Sequence, residues 1–374
     1  MTIDPAPFMR GEPDRFDEWL RYPLARSSSD PRVEVRRAQS AEFERIYDLI
    51  DEAFGVRRPR ALYDWLYRRN PHGIARCWIV VERSSGRFVG NLTNCPWPCA
   101  RGARALPSVL NADNVVAREW QGQGLNRVRS FVRDEHPMEQ TIRFGWPNPQ
   151  SQGAARKGEI DVHRSEPIPY YALPLHAAVP LIERGWPRAL AAVAERTALT
   201  VLGAWVSIRL QNSFRGSVEP VRRFDEAYDA VTERCSTWDG YWFPHNADFL
   251  NWRYIDHPTR QYLPFAAVSG GAVTGYCVVQ IDGHRAWLMD FAAPPLSTPV
   301  ARALLLRAVT VARDAGCAWL TVCAPPRWPH WKMVKSAGFM KIPTPMYLFT
   351  SPYEDPDLHR LDRWQFLSGD RDGL

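Results

Sequence analysis

Residues 115–126 read VVAREWQGQGLN. An apolar, β-type run ends in a loop that contains Gly122 and Gly124, and the loop opens into a helix predicted over residues 125–135. Glycines let the backbone approach a ligand and turn its N–H groups toward it. A helix N-terminus adds unpaired N–H donors and a partial positive charge. The stretch predicts a cradle for a pyrophosphate, but a surface turn requires the same glycines, so the surrounding sequence must decide.

Length and composition are typical of a soluble globular protein with about two domains. The chain has 374 residues, of which 45% are hydrophobic and 24% are charged, and single cores stop growing beyond about 250–300 residues. The formal net charge is +6, but basic and acidic residues are interspersed without a basic run. We therefore expect no nucleic-acid partner, whereas an anionic ligand is favoured.

Cysteine usage and hydropathy predict a cytoplasmic protein. The seven cysteines are odd in number and lie mostly in apolar runs, which is typical of reduced, buried thiols. The one close pair, Cys95 and Cys99, has no second Cys/His pair at zinc-finger spacing, so we expect no metal site. The N-terminus has no signal-peptide core, and the most apolar helical region, residues 197–208, is too short to span a bilayer.

The chain repeats itself in order. A W-x-Y-x3-P pattern at residues 65–71 recurs at residues 252–258, an offset of 187. A Val-Arg-Arg triplet before this pattern recurs with an offset of 186, and Gly90 after it recurs as Gly275 with an offset of 185. Constant order at a nearly constant offset indicates an internal duplication.

Each copy reads as a strand, one or two helices and a hairpin, followed by strand, helix and strand, which predicts an α+β unit. The hairpin strands and the later strand–helix–strand segments are expected at residues 78–82, 88–92, 109–117, 125–135 and 141–145 in the first copy, and at residues 265–268, 273–281, 286–291, 299–315 and 319–323 in the second. The predicted fold class is therefore α+β, with two mixed-sheet units.

The predicted domain organisation has five parts. They are an N-terminal extension (1–32), a first unit (33–168), a linker (169–216), a second unit (217–350) and a C-terminal tail (351–374). The linker is helical in pattern from Tyr170 to Arg215, and its apolar face is expected to pack the units together rather than lie on a membrane. The tail is charged and weakly ordered by composition.

The combined motifs resemble the GCN5-related N-acetyltransferase (GNAT) superfamily. The loop from Gln121 to Asn126 resembles its Q/R-x-x-G-x-G/A loop, and residues 144–151, FGWPNPQS, resemble the GFPN-x-x-S element of tandem GNAT proteins. In the second copy, Gly338 and Phe339 resemble the closing LGF turn. The resemblance covers most of residues 33–350 and implies two tandem GNAT-like units.

Three departures from the family pattern matter. In the second copy, the place of the glycine loop is taken by prolines, which are Pro294, Pro295 and Pro299. Because prolines lack an N–H donor, the second unit is not expected to bind CoA. Asn126 stands where the family prefers Gly or Ala. The Tyr that many members carry after the GFPN element is absent, with residues 154–156, AAR, in its place.

The resemblance implies an acetyl-CoA site in the first copy. The backbone of Val115, Val116 and Ala117 would pair with the pantetheine amides. The pyrophosphate would lie on the N–H groups of the loop, whose residues are Gln121, Gly122, Gln123, Gly124, Leu125 and Asn126. Asn148 of the GFPN element belongs to the same predicted site. Arg127 on the following helix would meet a phosphate, or it belongs to an exposed basic helix face.

Direct attack of an amine on the thioester requires a base for the ammonium and an acid for the leaving thiolate. Asp113 is the nearest carboxylate on the strand before the loop, and it is either that base or a structural acid that caps a turn. Ser151 is a candidate for the thiolate acid, and Tyr170 or Tyr171 could reach in from the linker. The aromatic residues of the W-x-Y patterns are expected in the core.

The main hypothesis is an N-acetyltransferase that moves an acetyl group from acetyl-CoA to a small-molecule amine, with an active first unit and a degenerate second unit. One alternative is a FemAB-like aminoacyl transferase, which also pairs two GNAT-like units but uses aminoacyl-tRNA. The intact glycine loop and the lack of a long helical arm speak against it. Another alternative is a non-catalytic pair that binds acyl-CoA or a partner protein.

Overall fold

The computed structural model of the protein describes residues 13–21, 30–125, 142–149, 152–153, 163–176, 185, 187–190, 193, 210, 213–235, 239–295, 297–344, 346–351 and 355–371. The elements of its first half are α1 (Pro13–Arg21), β1 (Val33–Arg37), α2 (Phe43–Phe54), α3 (Arg60–Tyr67), β2 (Arg76–Glu82), β3 (Phe88–Pro96), β4 (Cys99–Arg101), β5 (Arg104–Leu106), β6 (Ser108–Val116), β7 (Ile142–Gly145), β8 (His163–Arg164) and β9 (Tyr170–Pro174).

The second half begins with β10 (Ser217–Pro220), α4 (Glu226–Cys235), β11 (Tyr241–Trp242) and α5 (Ala247–Leu250), which continues as a π-helical turn over Asn251–Ile255. The remaining elements are β12 (Leu263–Ser269), β13 (Ala272–Asp282), β14 (Arg285–Ala292), α6 (Thr298–Asp314), β15 (Trp319–Cys323), α7 (Trp331–Ser336), β16 (Met340–Ile342), β17 (Phe349–Ser351) and β18 (Trp364–Gln365).

The chain forms two compact units. Unit 1 comprises Met1–Glu166 and Met346–Arg360 together with Leu374, and unit 2 comprises Pro167–Pro345 and Leu361–Gly373. The sheet of unit 1 has the strand order β1-β2-β3-β6-β7-β17-β8. Only β6 and β7 in it pair in parallel, and the other neighbours are antiparallel.

Unit 2 repeats this arrangement. Its sheet has the order β10-β12-β13-β14-β15-β9-β16, and again only the fourth and fifth strands, β14 and β15, pair in parallel, while the others are antiparallel. The α+β fold class and the duplication of the mixed-sheet unit are therefore confirmed.

Most predicted elements are confirmed within a few residues, because their periodicity is strong. The strand predicted at residues 319–323 is β15, and the helix predicted at 299–315 is α6. Helix α6 buries Val300, Leu304 and Ala308, which lie on one helical face. This face packs closely on β13, because a Cβ on Gly275 would lie 2.9 Å from Cγ1 of Val300.

Three short strands contradict the sequence-based expectation. The linker was expected to be helical from Tyr170 on, but its first residues form β9, which is hydrogen-bonded between β15 and β16. In the part expected to be a weakly ordered tail, Ser351 ends β17, which pairs with β7 and β8, and Trp364 begins β18. Two to five residues carry too little periodicity to reveal a strand, and the backbone partners lie far away in the chain.

As a result, the compact units are discontinuous in sequence, whereas consecutive domains were expected. Residues 346–360 complete the sheet of unit 1 and residues 167–176 that of unit 2. The assignment of the acyl-CoA loop to one unit and its loss in the other stays a prediction.

The predicted core aromatics are confirmed. Trp65, Tyr67, Trp252 and Tyr254 are at most 5% exposed. All seven cysteines are free, and six of them are buried, as predicted for reduced thiols. In the described part of the chain, no helix is long and apolar enough to cross a membrane.

Candidate functional site

Strand β6 of unit 1 carries a β-bulge directly before the predicted donor segment. Asp113 and Asn114 stand opposite the single residue Leu92 of β3. Asp113 has φ +46° and is the one non-glycine residue with positive φ among those described, a conformation that costs about 1–2 kcal/mol. At the bulge, two asparagine side chains make hydrogen bonds in place of backbone bonds between β3 and β6. Thr93 N donates to Oδ1 of Asn114 at 3.0 Å, and Nδ2 of Asn91 donates to the Asp113 carbonyl at 3.1 Å.

The Asp113 carboxylate is buried and paired. Its side chain is 4% exposed, and Nη1 of Arg58 donates to Oδ1 at 2.7 Å. The Tyr67 hydroxyl donates to Oδ2 at 3.2 Å. Burial has the largest single effect and lowers the pKa of Arg58, but the charge and hydrogen bond of Asp113, together with Tyr63 and Tyr67, outweigh it, so the pKa is raised. Burial, and then the Asp113 charge, raise the pKa of Tyr67 well above its usual range. Both partners therefore keep their protons.

These contacts concern the two roles predicted for Asp113, which are a base for the ammonium and a structural acid that caps a turn. Both carboxylate oxygens already accept a hydrogen bond, one from Arg58 and one from Tyr67. Such contacts are those of a structural acid that holds a strained turn. The role of a base stays a prediction without a contact that favours it.

The glycine loop follows the bulged strand. Gly122 and Gly124 have φ +78° and +83°, and a Cβ on either would meet no atom of the described residues within 4 Å. Within the described residues, the N–H groups of these two glycines have no hydrogen-bond acceptor. The side-chain amides of Gln121 and Gln123 donate to backbone carbonyls of the preceding segment at 3.2 and 2.7 Å. The loop is thus tied at its base and open at its tip.

Beside the loop, β6 has an open edge. It pairs with β7 only over residues 108–110 and 142–144. The strands remain close at Gly145, where a Cβ would lie 3.1 Å from the Asn111 carbonyl oxygen. Within the described residues, the β7 side of residues 112–116 has no partner strand. Unpaired backbone groups at such an edge can bond an extended ligand that carries amides.

The other predicted donor residues are only partly gathered at this edge. Val115 and Val116 pair with β3 on their other side, and Ala117 N donates to the Val89 carbonyl at 2.8 Å. Asn148 is exposed, and its carbonyl accepts from Gln152 N at 3.0 Å. Three further predicted site residues, Asn126, Arg127 and Ser151, lie outside the described residues. Most of the helix predicted over residues 125–135 also lies outside them.

Tyr170 does not approach from a helical linker, because it lies in β9 of unit 2. It is 3% exposed, and its hydroxyl accepts from Nη1 of Arg371 at 3.3 Å. Burial raises the pKa of this phenol. The neighbouring Tyr171 faces the other side of the same strand and is partly buried. The proposed role of Tyr170 as an acid for the thiolate stays a prediction.

Unit 2 contains a counterpart of the Arg58–Asp113–Tyr67 cluster that sequence reasoning missed. The Tyr254 hydroxyl donates to Oδ2 of Asp290 at 3.0 Å, and Nδ1 of His245 lies 2.8 Å from the same oxygen. His245 follows Arg58 by 187 positions, the offset of the W-x-Y pattern. The two positions align seven residues before the W-x-Y patterns, but one holds Arg and the other His, so the repeat alone does not single them out.

His245 also contacts a second carboxylate. Its Nε2 lies 2.7 Å from Oδ1 of Asp370, and all three side chains are at most 7% exposed. Burial lowers the pKa of His245, but Asp290 and Asp370 more than offset this and raise it to about 10. His245 is therefore protonated at neutral pH. The three residues border a cleft of about 570 Å³, including the solvent space at its mouth.

In the described part of the chain, no group of three or more His, Cys, Asp or Glu side chains is placed to hold a metal ion. Both ring nitrogens of His245 are occupied by carboxylate contacts. His257 and His330 contact backbone atoms: Nδ1 of His257 accepts from Thr259 N at 3.3 Å, and Nε2 of His330 lies 3.0 Å from the Ala293 carbonyl.

Several solved acyltransferases share this fold. A probable N-acyltransferase from Enterococcus faecalis aligns with 85% of this chain and 71% of its own, with a TM-score of 0.58 and 9% identity. A GCN5-related N-acetyltransferase from Anabaena variabilis aligns with 85% and 72%, with a TM-score of 0.56 and 11% identity. N-myristoyltransferase from Saccharomyces cerevisiae, solved with bound myristoyl-CoA, aligns with 87% and 84%, with a TM-score of 0.52 and 11% identity.

No protein-family model and no curated protein sequence matches the chain. The structural matches have low identity and describe the fold. The chain has the fold of the GCN5-related N-acetyltransferases, as the sequence resemblance predicted.

Proposed function

We propose that unit 1 is an N-acyltransferase that moves an acetyl group from acetyl-CoA to an amine of a small molecule. The observation that carries this proposal is the combination of an open strand edge at residues 112–116 with two glycines whose N–H groups are unpaired within the described residues. Such a loop suits a pyrophosphate, and such an edge suits the amides of pantetheine.

The proposed donor site uses the backbone more than side chains. Gly122 and Gly124 would donate N–H groups to the pyrophosphate, and the Gln121 and Gln123 amides hold the loop in place. Leu125, Asn126 and Arg127 would continue the site at the start of the helix that the sequence predicts, and Asn148 would continue it after β7. The N-myristoyltransferase neighbour holds myristoyl-CoA, which supports an acyl-CoA donor; acetyl as the acyl group comes from the sequence resemblance.

The proposed reaction is a direct displacement at the thioester carbon. A C–N bond forms from the neutral amine, the C–S bond breaks, the ammonium loses its extra proton to a base or to water, and the thiolate takes a proton from an acid. Ser151 is the proposed acid. Asp113 is assigned to positioning, because Arg58 and Tyr67 occupy its oxygens. The free cysteines agree with the proposed cytoplasmic location.

One observation favours a second function, a non-catalytic acyl-CoA-binding protein. Both oxygens of Asp113, on the strand of the proposed donor edge, accept hydrogen bonds, so this carboxylate has no contact that marks it as a base. Such a protein would bind acetyl-CoA without consuming it.

Thiol release separates these functions. We expect the full-length protein to release free CoA from acetyl-CoA in the presence of at least one member of a panel of amino sugars, aminoglycosides and amino-acid derivatives. Release should depend on amine concentration, because the amine is the nucleophile. The measurement is thiol detection with mass spectrometry of the acylated amine, and protein with the Gly122→Asp substitution is the control.

Other outcomes have distinct meanings. Saturable acetyl-CoA binding without thiol release for any amine would support the non-catalytic function. Binding of tRNA without binding of acetyl-CoA would support aminoacyl transfer instead.

A further inference from the structure

Three side chains donate hydrogen bonds to Asp113, the strained residue of unit 1. Asp113 adopts φ +46° within a strand, a conformation that persists only where the surroundings enforce it. Arg58 and Tyr67 hold its carboxylate, and Asn91 holds its carbonyl oxygen. We refer to Arg58, Tyr67 and Asp113 as the Asp113 pin.

The two donors of the Asp113 pin are themselves fixed. Tyr67 is fully buried at the end of α3, and its hydroxyl also lies 3.1 Å from Oγ1 of Thr93 on β3. The Arg58 guanidinium lies over the rings of Phe54 and Tyr63, with centroid distances of 5.5 and 5.6 Å. The pin therefore connects the helical layer of unit 1 rigidly to the bulge.

The bulge directly precedes the open edge. Residues 114–116 follow Asp113 without a break, and the glycine loop begins five residues after Val116. A change in φ at Asp113 would rotate the peptide groups of this edge, because they are covalently continuous with it. The pin thus controls the direction of the backbone groups proposed to bind the acyl donor.

Unit 2 supplies an internal comparison. His245, Tyr254 and Asp290, the Asp290 pin, occupy corresponding positions, but His245 and Tyr254 both contact Oδ2 of Asp290, and Phe291 N donates to its Oδ1. Asp290 does not have positive φ, and the segment after its strand carries Pro294 and Pro295 instead of glycines. A tyrosine hydroxyl and a basic side chain therefore hold a buried aspartate in both units, whereas, among the described residues, the aspartate is strained only in the unit with the glycine loop.

We infer that Arg58 and Tyr67 are positioning residues that hold Asp113 in its strained conformation, and thereby orient the open edge of β6 for the acyl donor. This inference rests on the proposed function of unit 1 and adds to it the residues that set the geometry of the donor site. Neither residue is proposed to touch the donor.

The test compares Tyr67→Phe with Tyr254→Phe, which remove one hydroxyl from equivalent buried pins. Both variants should lose similar stability on chemical denaturation, because each leaves one buried carboxylate with one donor fewer. Only Tyr67→Phe should weaken acetyl-CoA binding, by about fivefold in calorimetry, and lower kcat with little change in the KM of the amine. Arg58→Met should weaken binding by about tenfold, and Arg58→Lys should restore most of it, because it keeps a cation beside Asp113.

The experiment distinguishes failure of the proposed donor site from failure of the positioning role of Arg58 and Tyr67. If the parent protein binds no acetyl-CoA, the donor site itself is wrong and the inference falls with it. If the parent binds acetyl-CoA, the inference is overturned when Tyr67→Phe and Arg58→Met bind as tightly as the parent. It is also overturned when Tyr254→Phe weakens binding as much as Tyr67→Phe, since the effect would then be global.

Discussion

Protein with both Gly122→Asp and Gly124→Asp is expected to bind acetyl-CoA about a hundredfold more weakly than the parent, a loss of about 2.7 kcal/mol. Two new carboxylates would lie where the pyrophosphate is proposed to bind, and like charges repel strongly in a cradle of backbone N–H groups. The fold should survive, because a Cβ at either position meets no atom of the described part of the chain within 4 Å and Asp tolerates positive φ better than most residues. Titration calorimetry measures the change.

Two control variants separate charge from backbone effects. Gly122→Asn with Gly124→Asn has nearly the same shape without the charge and should weaken binding far less. Gly270→Asp with Gly271→Asp places the same charges in the hairpin turn of unit 2, where the φ values of +58° and +78° are similar and the space is equally open. That variant should bind like the parent. Unchanged affinity in the Gly122→Asp/Gly124→Asp protein would remove the loop from the donor site.

Replacing His245 by Leu is expected to destabilise unit 2 by about 3–5 kcal/mol at pH 7, because Asp290 and Asp370 would lose the cation between them while they remain buried. Adding Asp370→Asn should recover part of the loss by removing one uncompensated charge. His257→Leu is a matched control: burial first, and then Arg253 and Arg260, lower the pKa of His257 to about 3, so this residue is neutral. Its replacement leaves no charge unpaired. Denaturant unfolding measures all four proteins.

The loss of stability caused by His245→Leu is expected to depend on pH. The pKa of His245 rises from its usual 6.5 to about 10 in the folded protein, because the attraction of Asp290 and Asp370 exceeds the effect of burial. A raised pKa stabilises the folded state fully below pH 6.5, and this contribution is lost as the pH rises through about 10. The stability difference between the parent and His245→Leu should therefore shrink between pH 7 and pH 10. A difference that is constant or grows over this range would show that His245 is neutral in the fold.

The sequence predicted those features of the fold that are periodic or repeated. Helix α6 and strand β15 follow from patterns of apolar residues that hold over one element. The duplication followed from ordered repeats at an offset near 187, and the two equivalent sheets reflect it. The contrast between glycines and prolines after the fourth strand is also a property of the sequence, because these residues act on their own backbone.

The candidate site was only partly predictable. Asp113 and the glycine loop were recognised because they are neighbours in the chain. Arg58 was not, because it lies 55 residues before Asp113 and nothing in its local sequence distinguishes it from other arginines. Tyr170 was assigned to the wrong element, because a short aromatic run between prolines fits a broken helix as well as a strand.

By itself, the amino-acid sequence determined the fold class, the two similar units and the place of the glycine loop, since each of these depends on local periodicity, repetition or the conformational limits of single residues. Only the tertiary structure decided that β9 and β17 are strands, that Arg58 and Tyr67 hold Asp113 in a strained conformation, and that His245 lies between two carboxylates. These features depend on contacts between segments that are far apart in the chain, and such contacts leave no periodic signal in either segment.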